Sequence, residues 1–397
     1  MIEIIKEKTE EGNTLVFGED PLAREGITKY EILQQLNQKK EVMIFDFDGK
    51  YTEFVRSLKG NAIEVKDGSL LNPLELFPKD GETLSERFTS HMLNIFSFLK
   101  TLFSNESLAK THIDALAKMY NHMDLIKKIS PSKRKFPTLK ELDPTLFPLE
   151  TYKEQIDTFS SGKTIIHKHF NAGSKSLRSI SFQHVPSHLK SVIVHAYLSY
   201  FLNVYTHGKK EDYYLVFDDI TPLVQEKELE ELMKTYLFRH RFSIRNVFFT
   251  CSSLKTFFSN AERLLAFTSN KIVFRLNSAD SDVFKEMFGK DTMYIDMARV
   301  RNFGAECYLG DVRMFYEFDQ KIRKIQDIER FFSYRKNAST GSSLEGLVEY
   351  FDFSSELAFD SFLGSIKGYY INGRSAQSFL SEAAHSKRKV RIKIDYI

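Results

Sequence analysis

Thr14-Leu15-Val16-Phe17 is a short apolar run closed by Gly18, and Ile27 to Leu36 then repeats its apolar residues at helical spacing. The pattern predicts a strand, a loop and a helix over residues 14–36. A second apolar run, Val42-Met43-Ile44-Phe45, is closed by Asp46-Phe47-Asp48-Gly49. Tyr51 to Leu58 then has helical spacing, and Ala62 to Val65 reads as a third strand. Strands alternating with helices predict a parallel, doubly wound α/β sheet. Leu71-Asn72-Pro73-Leu74 ends this block. From Leu84 to about Ile129 there is no Gly or Pro and apolar residues recur at three and four, which predicts two or three helices inserted on the sheet. Ser130 to Glu150 carries four prolines and the basic run Lys133-Arg134-Lys135, and reads as a linker or surface loop. The sheet resumes with Tyr213 to Phe217, Asn246 to Phe249 and Lys271 to Phe274, continuous apolar runs of the kind expected for strands buried on both faces. Ala338 to Ser343 reads as a flexible spacer. The expected division is 1–83 and 151–337 as two parts of one α/β domain, 84–150 as helical insertion and linker, and 344–397 as a small C-terminal extension.

Composition narrows the class without naming a partner. Hydrophobic residues make up 42% of 397, and Gly (18) and Pro (9) are scarce, which excludes collagen-like and broadly disordered chains. The longest greasy stretch, Ser191 to Tyr205, contains His195 and Asn203 and is shorter than the ~20 apolar residues of a membrane span, so it reads as a buried helix. The first residues, Met1 to Lys6, show no basic region followed by an apolar one, so no signal peptide is legible. Two cysteines, Cys251 and Cys307, build neither a disulfide framework nor a thiolate zinc site, and a reducing, cytoplasmic setting is expected. Both read as buried and inert. A net charge of +3 implies neither nucleic acid nor membrane as partner.

A strand, tight loop and helix at the start of a parallel sheet is where backbone amides and a helix N-terminus would cradle phosphate. The pattern G-x-x-x-x-G-K-[ST], laid on Gly18, meets Ala23 in place of the second Gly, Arg24 in place of Lys and Glu25 in place of the hydroxyl. Glu19, Asp20 and Glu25 add negative charge where a triphosphate would lie, and Pro21 removes an amide donor. The bland alternative is an ordinary strand-to-helix turn with an acidic helix start. Tyr214 to Phe217 ends in Asp218-Asp219, the Walker-B form, in which the first carboxylate holds Mg²⁺ and the second orients water. Acids at strand ends are common in any α/β protein, and Asp219 is one methylene shorter than the usual Glu. The tripeptide Gly162-Lys163-Thr164 is a decoy, because Asp157 stands where the first Gly belongs and Ile165-Ile166 looks like a strand. His167 and His169 alternate on one face without a nearby carboxylate, a weak metal signal.

Taken in order, these pieces resemble the ATPase that energises type IV secretion and conjugative transfer, over its C-terminal RecA-like motor domain. The resemblance covers roughly residues 12 to 320. It rests on Thr28-Lys29-Tyr30-Glu31-Ile32 after the loop, Ile44-Phe45-Asp46 with Tyr51, Asn72-Pro73, the helical insertion, Pro137 to Leu142, the Phe159-to-Gly162 turn and the Walker-B strand. It implies a RecA-like, P-loop-NTPase-type parallel sheet flanked by helices with an all-α insertion, and it explains the decoy, since the family has a Gly-containing turn there without a phosphate role. The departures fall on the nucleotide elements: Ala23, Arg24 and Glu25 in the phosphate loop, Asp219 in the Walker B, and Thr250-Cys251 where a Gln senses the γ-phosphate. The family's large N-terminal domain has no counterpart before residue 14. Arg239 and Arg241 lie near the place of a trans-acting arginine, but the register is loose and the role is not carried over.

The resulting expectation is a catalytically inactive relative with no cofactor and with vestigial positions at Gly18, Ala23, Arg24, Glu25, Asp218, Asp219 and Cys251. It would serve as a scaffold among the proteins of a secretion or conjugation apparatus, an active ATPase or coupling protein among them. Two alternatives accompany it. One is an unorthodox ATPase in which Arg24 binds phosphate and Asp218 holds Mg²⁺. The other is a DNA-binding module using Lys133, Arg134, Lys135 and the tail Lys387-Arg388-Lys389, which reads as an edge strand with one charged face.

Overall fold

The computed structural model describes residues 13–76, 84–122, 136–142, 149–159, 164–166, 176–202, 213–240, 247–256, 268–288, 304–309, 312–317, 348–351, 370–371, 374–375 and 390–393. Strand β1 (Thr14–Phe17) leads into helix α1 (Pro21–Asn37), followed by β2 (Glu41–Asp46), α2 (Thr52–Ser57) and β3 (Asn61–Glu64). Two long helices, α3 (Leu84–Phe103) and α4 (Glu106–His122), a 3₁₀ turn at Leu139–Glu141 and α5 (Leu149–Asp157) precede β4 (Leu177–Ser181) and α6 (Ser187–Tyr200). Then come β5 (Tyr213–Asp218), α7 (Thr221–Gln225), α8 (Lys227–His240), β6 (Val247–Cys251), β7 (Asn270–Val273) and α9 (Ser278–Phe288). Strands β8 (Gly304–Leu309) and β9 (Val312–Glu317) follow.

These nine strands form one sheet in the order β3-β4-β2-β5-β6-β1-β7-β8-β9. The seven from β3 to β7 are parallel, as the alternation of strand and helix predicts. The β8–β9 pair is antiparallel and joins the β7 edge, an addition the apolar runs did not announce. The central strands are buried on both faces, which is why they read as unbroken apolar runs. Register makes an aromatic ladder: Phe45 stacks on Phe217 at 4.6 Å between centroids, and Phe217 on Phe249 at 5.4 Å, each across a paired position. Each such side chain withdrawn from water contributes about 1.5–3 kcal/mol.

The helix read from Ser191 to Tyr205 is α6, which begins at Ser187 and buries Val192, Ile193, Val194 and His195. It packs against α3, where Thr101 Oγ1 lies 2.7 Å from His195 Nδ1. Two readings are corrected. Residues 136–142 are not a surface loop: Leu139 and Leu142 are buried, a Thr138–Glu141 capping box closes the turn, and the Pro137 carbonyl accepts from Asn72 Nδ2 at 3.0 Å. The prolines mark turns, but the two leucines between them supply the apolar surface that docks. Ile165-Ile166 is not a strand: both amides donate to the Leu70 carbonyl, which lies in a turn and belongs to no strand. Farther on, β10 (Val348–Phe351) pairs antiparallel with β13 (Val390–Lys393), and β11 (Tyr370–Ile371) with β12 (Arg374–Ser375). The tail's alternating segment is therefore a strand from Val390 onward. The spacer at 338–343 lies outside the described residues. Among the described residues no helix is long and apolar enough to cross a membrane.

Candidate functional site

Ligands of open α/β sheets bind beyond the carboxyl ends of the parallel strands. Here those ends bring the β1–α1 turn, Asp46, Asp218 and Cys251 to one side of the sheet, on the neighbouring strands β2, β5, β6 and β1.

The β1–α1 turn has three residues, Gly18, Glu19 and Asp20. A Cβ on Gly18 would stand 2.7 Å from Cβ of Phe274, so the close approach of the chain after β7 requires glycine. The Glu19 amide donates to the Arg275 carbonyl at 2.8 Å, and the Glu19 carboxylate pairs with Arg275 Nε at 2.7 Å. Asp20 is the N-cap of α1, its Oδ1 accepting from the Leu22 amide at 2.9 Å, and Pro21 follows in the first turn, where its missing N–H costs nothing. Helix α1 thus begins before Ala23 and Arg24, both of which are buried in it. The Arg24 guanidinium turns back on the loop and Nη1 donates to the Gly18 carbonyl. Glu25 pairs with Lys29 one helical turn on. Beside this turn lies a pocket of about 390 Å³ lined by Glu19, Asp20, Ala23, Phe274 and Arg275.

Asp46 and Asp218 are register partners on β2 and β5, and both are buried. The Asp46 carboxylate accepts three successive amides, Gly49 and Lys50 on Oδ1 and Tyr51 on Oδ2, at 2.7–3.1 Å. Burial pushes its pKa up to about 6 against the pull of those amides, with Asp218 adding to the rise. Asp218 Oδ1 accepts from Tyr51 OH at 3.1 Å and Thr250 Oγ1 at 2.9 Å, while Oδ2 lies 3.5 Å from Lys50 Nζ. Burial raises the Asp218 pKa, with Lys50, Thr250 and Tyr51 working in the other direction. Burial also disfavours the Lys50 ammonium, yet Asp218 and Asp48 hold its pKa above the ordinary lysine value.

Asp219 has φ +47, the left-handed region that Asp enters more readily than most residues. Its amide donates to Thr250 Oγ1 at 2.7 Å, and its Oδ1 accepts from Thr221 Oγ1 at 2.6 Å and Ser252 Oγ at 3.1 Å. Cys251 is buried, donates to the Ser253 carbonyl at 3.1 Å and has its thiol pushed up to about 12 by burial. It is not poised for thiolate chemistry. Cys307 is buried in β8.

The other motif residues act as ties. Thr28 Oγ1 donates to the Arg24 carbonyl, Lys29 Nζ sits over the Tyr51 and Phe54 rings, and Glu31 accepts from Gln35 and from Tyr214 OH. Asn72 spans three segments through the Leu74 amide, the Pro137 carbonyl and Thr164 Oγ1. Thr164, the last residue of the decoy, also donates its amide to Glu75 Oε2 at 2.6 Å and so belongs to this tie rather than to the sheet's carboxyl edge. Arg239 lies in α8. Lys133, Arg134, Lys135, Lys387, Arg388, Lys389, Arg241, Gly162, Lys163, His167 and His169 lie outside the described residues. Among those described, no three His, Cys, Asp or Glu side chains are grouped to hold a metal. Sequence reasoning missed Lys50, Thr221 and Ser252. Only the first had a legible signal, as a cation directly after the acid-rich turn Asp46-Phe47-Asp48-Gly49.

No protein-family model and no curated protein matches the chain. Among solved structures, VirB4 of Thermoanaerobacter pseudethanolicus superposes with a TM-score of 0.61 at 16% identity, over 77% of this chain and 88% of that one. The bacterial conjugative coupling protein TrwB, solved with sulphate, gives a TM-score of 0.47 at 13% identity, over 88% of this chain and 83% of its own. The chain therefore shares the fold of VirB4, a RecA-like α/β sheet of seven parallel strands flanked by helices.

Proposed function

We propose that this chain is a nucleotide-independent relative of the type IV secretion and conjugation ATPases and acts as a scaffold or assembly subunit of such an apparatus. The observation that carries the reading is the β1–α1 turn, where the Glu19 and Leu22 amides and the Arg24 guanidinium are committed to the protein itself. The Glu19 amide is on Arg275, the Leu22 amide is on Asp20, Pro21 has none, and Arg24 is drawn onto Gly18. A phosphate cradle needs several free amides converging on one point, and a three-residue turn with these commitments does not offer them. Two further features favour the same reading. Asp219 holds Thr221 and Ser252 through Oδ1, and Asp218 already has a cation beside it in Lys50. Glu19 and Asp20 oppose the approach of a polyanion. The residues present do not fit a magnesium triphosphate.

What such a fold retains without nucleotide is its surface, and the natural partners are the proteins of a secretion or conjugation machine, an active ATPase or coupling protein among them. The setting proposed is the cytoplasm, with any membrane contact made through those partners. Calorimetric titration with Mg-ATP tests the reading. No saturable heat is expected up to millimolar nucleotide, in the wild type or in Arg24→Ala. Micromolar affinity that disappears in Arg24→Ala would overturn the proposal in favour of an unorthodox ATPase. Recovery of a secretion ATPase or coupling protein with the tagged chain from its native cell would identify the assembly.

A further inference from the structure

Asp218 places a carboxylate at 3% exposure, where an ion persists only if something compensates its charge. Its Oδ1 is satisfied by Tyr51 and Thr250, whereas Oδ2 has no hydrogen-bond donor among the described residues. The groups around it are Asp46 from β2, Thr250 from β6, Asp219 just beyond its own strand, and Asp48, Lys50 and Tyr51 from the turn after β2. Three of these are acids, and one carries positive charge. Lys50 Nζ stands 3.5 Å from Asp218 Oδ2 and 2.9 Å from Asp48 Oδ2.

The placement of that ammonium is not left to a free side chain. The turn carrying it is fixed by three amides on the Asp46 carboxylate and passes through Gly49 at φ +80. Successive residues of this turn then reach the two oxygens of one carboxylate, Tyr51 on Oδ1 and Lys50 on Oδ2. We infer that Lys50 is the resident counter-ion of this sheet edge: the Asp46-capped turn delivers its ammonium to Asp218 and thereby clasps the end of β2 to the end of β5. The clasp stands apart from the nucleotide reading, since it concerns folding stability in the absence of any ligand.

A double-mutant cycle tests it. Asp218→Asn keeps the Oδ1 acceptor used by Tyr51 and Thr250 while removing the charge, and Lys50→Met keeps the aliphatic stem while removing the ammonium. Lys50→Met strands a buried carboxylate and is expected to lower the thermal midpoint by about 5 °C or more. Asp218→Asn frees a lysine that reaches solvent and should cost less. The decisive expectation is that the double variant is more stable than Lys50→Met alone, because the stranded charge is gone. Additive losses, or an unchanged midpoint in Lys50→Met, would overturn the inference. Should Lys50→Met not accumulate as folded protein, a folded double variant supports the clasp and an unfolded one refutes it.

Discussion

Gly49 shows how much of the site rests on single positions. Its φ of +80 is open to glycine at no steric cost, and a Cβ there would overlap the Gln183 side chain. The backbone angle is what opposes a larger residue, since the overlapping Gln183 atoms are the end of a flexible side chain. Gly49→Ala is expected to destabilise the protein by about 1–3 kcal/mol, read as a lower urea midpoint at unchanged slope. Asp219 has the same kind of backbone angle, but its carboxylate organises Thr221 and Ser252 in return. Arg24 illustrates what sequence cannot give. Its substitution for lysine is plain in the chain, yet that the guanidinium folds back on Gly18 depends on where α1 begins, which the apolar periodicity does not resolve.

At the scale of elements, the parallel sheet was legible because its central strands carry three to five consecutive apolar side chains, as in Leu15–Phe17, Tyr213–Phe217 and Val247–Phe249. Strand β4 escaped because Leu177–Ser181 mixes polar with apolar residues, among them Arg178, buried and paired with Glu41 at 2.8 Å. The β8–β9 hairpin escaped because charged and apolar residues are interleaved along it, and short strands of that kind resemble loops. Helix α1 was expected over the correct region, but its start at Pro21 was not, since the cap is a property of Asp20 and Leu22 together. That cap is testable. Asp20→Ala should cost about 1 kcal/mol, and Asp20→Asn much less, in chemical denaturation. An Ala variant as stable as the wild type would show that the turn is held by other groups.

For the molecule as a whole, acid stability separates the contributions of two buried groups. His195 is fully buried, burial lowers its pKa to about 3, and its unfolded value is near 6.5. Between those values the unfolded chain binds more protons at this position, so its contribution to stability falls as pH drops through that range. Asp46 acts in the opposite sense: with its pKa raised to about 6, the folded state binds more protons between pH 4 and 6, and its contribution falls as pH rises through that window. The histidine covers the wider range and dominates. Denaturation at pH 7.5 and 5.0 should show His195→Gln losing less stability on acidification than the wild type, by about 2 kcal/mol. Equal losses in the two proteins would mean that His195 is hydrated.

The early onset of α1 also bears on what it would take for the β1–α1 turn to hold a phosphate. Writing Gly, Lys and Thr into positions 23 to 25 would restore the letters of a nucleotide signature inside a helix whose first turn is already wound. The new lysine would emerge beneath a bend too short to arch over anything. An arch over a phosphate would require extra residues between Phe17 and Pro21 as well, so a change of length, and not of letters alone, separates this turn from such a cradle.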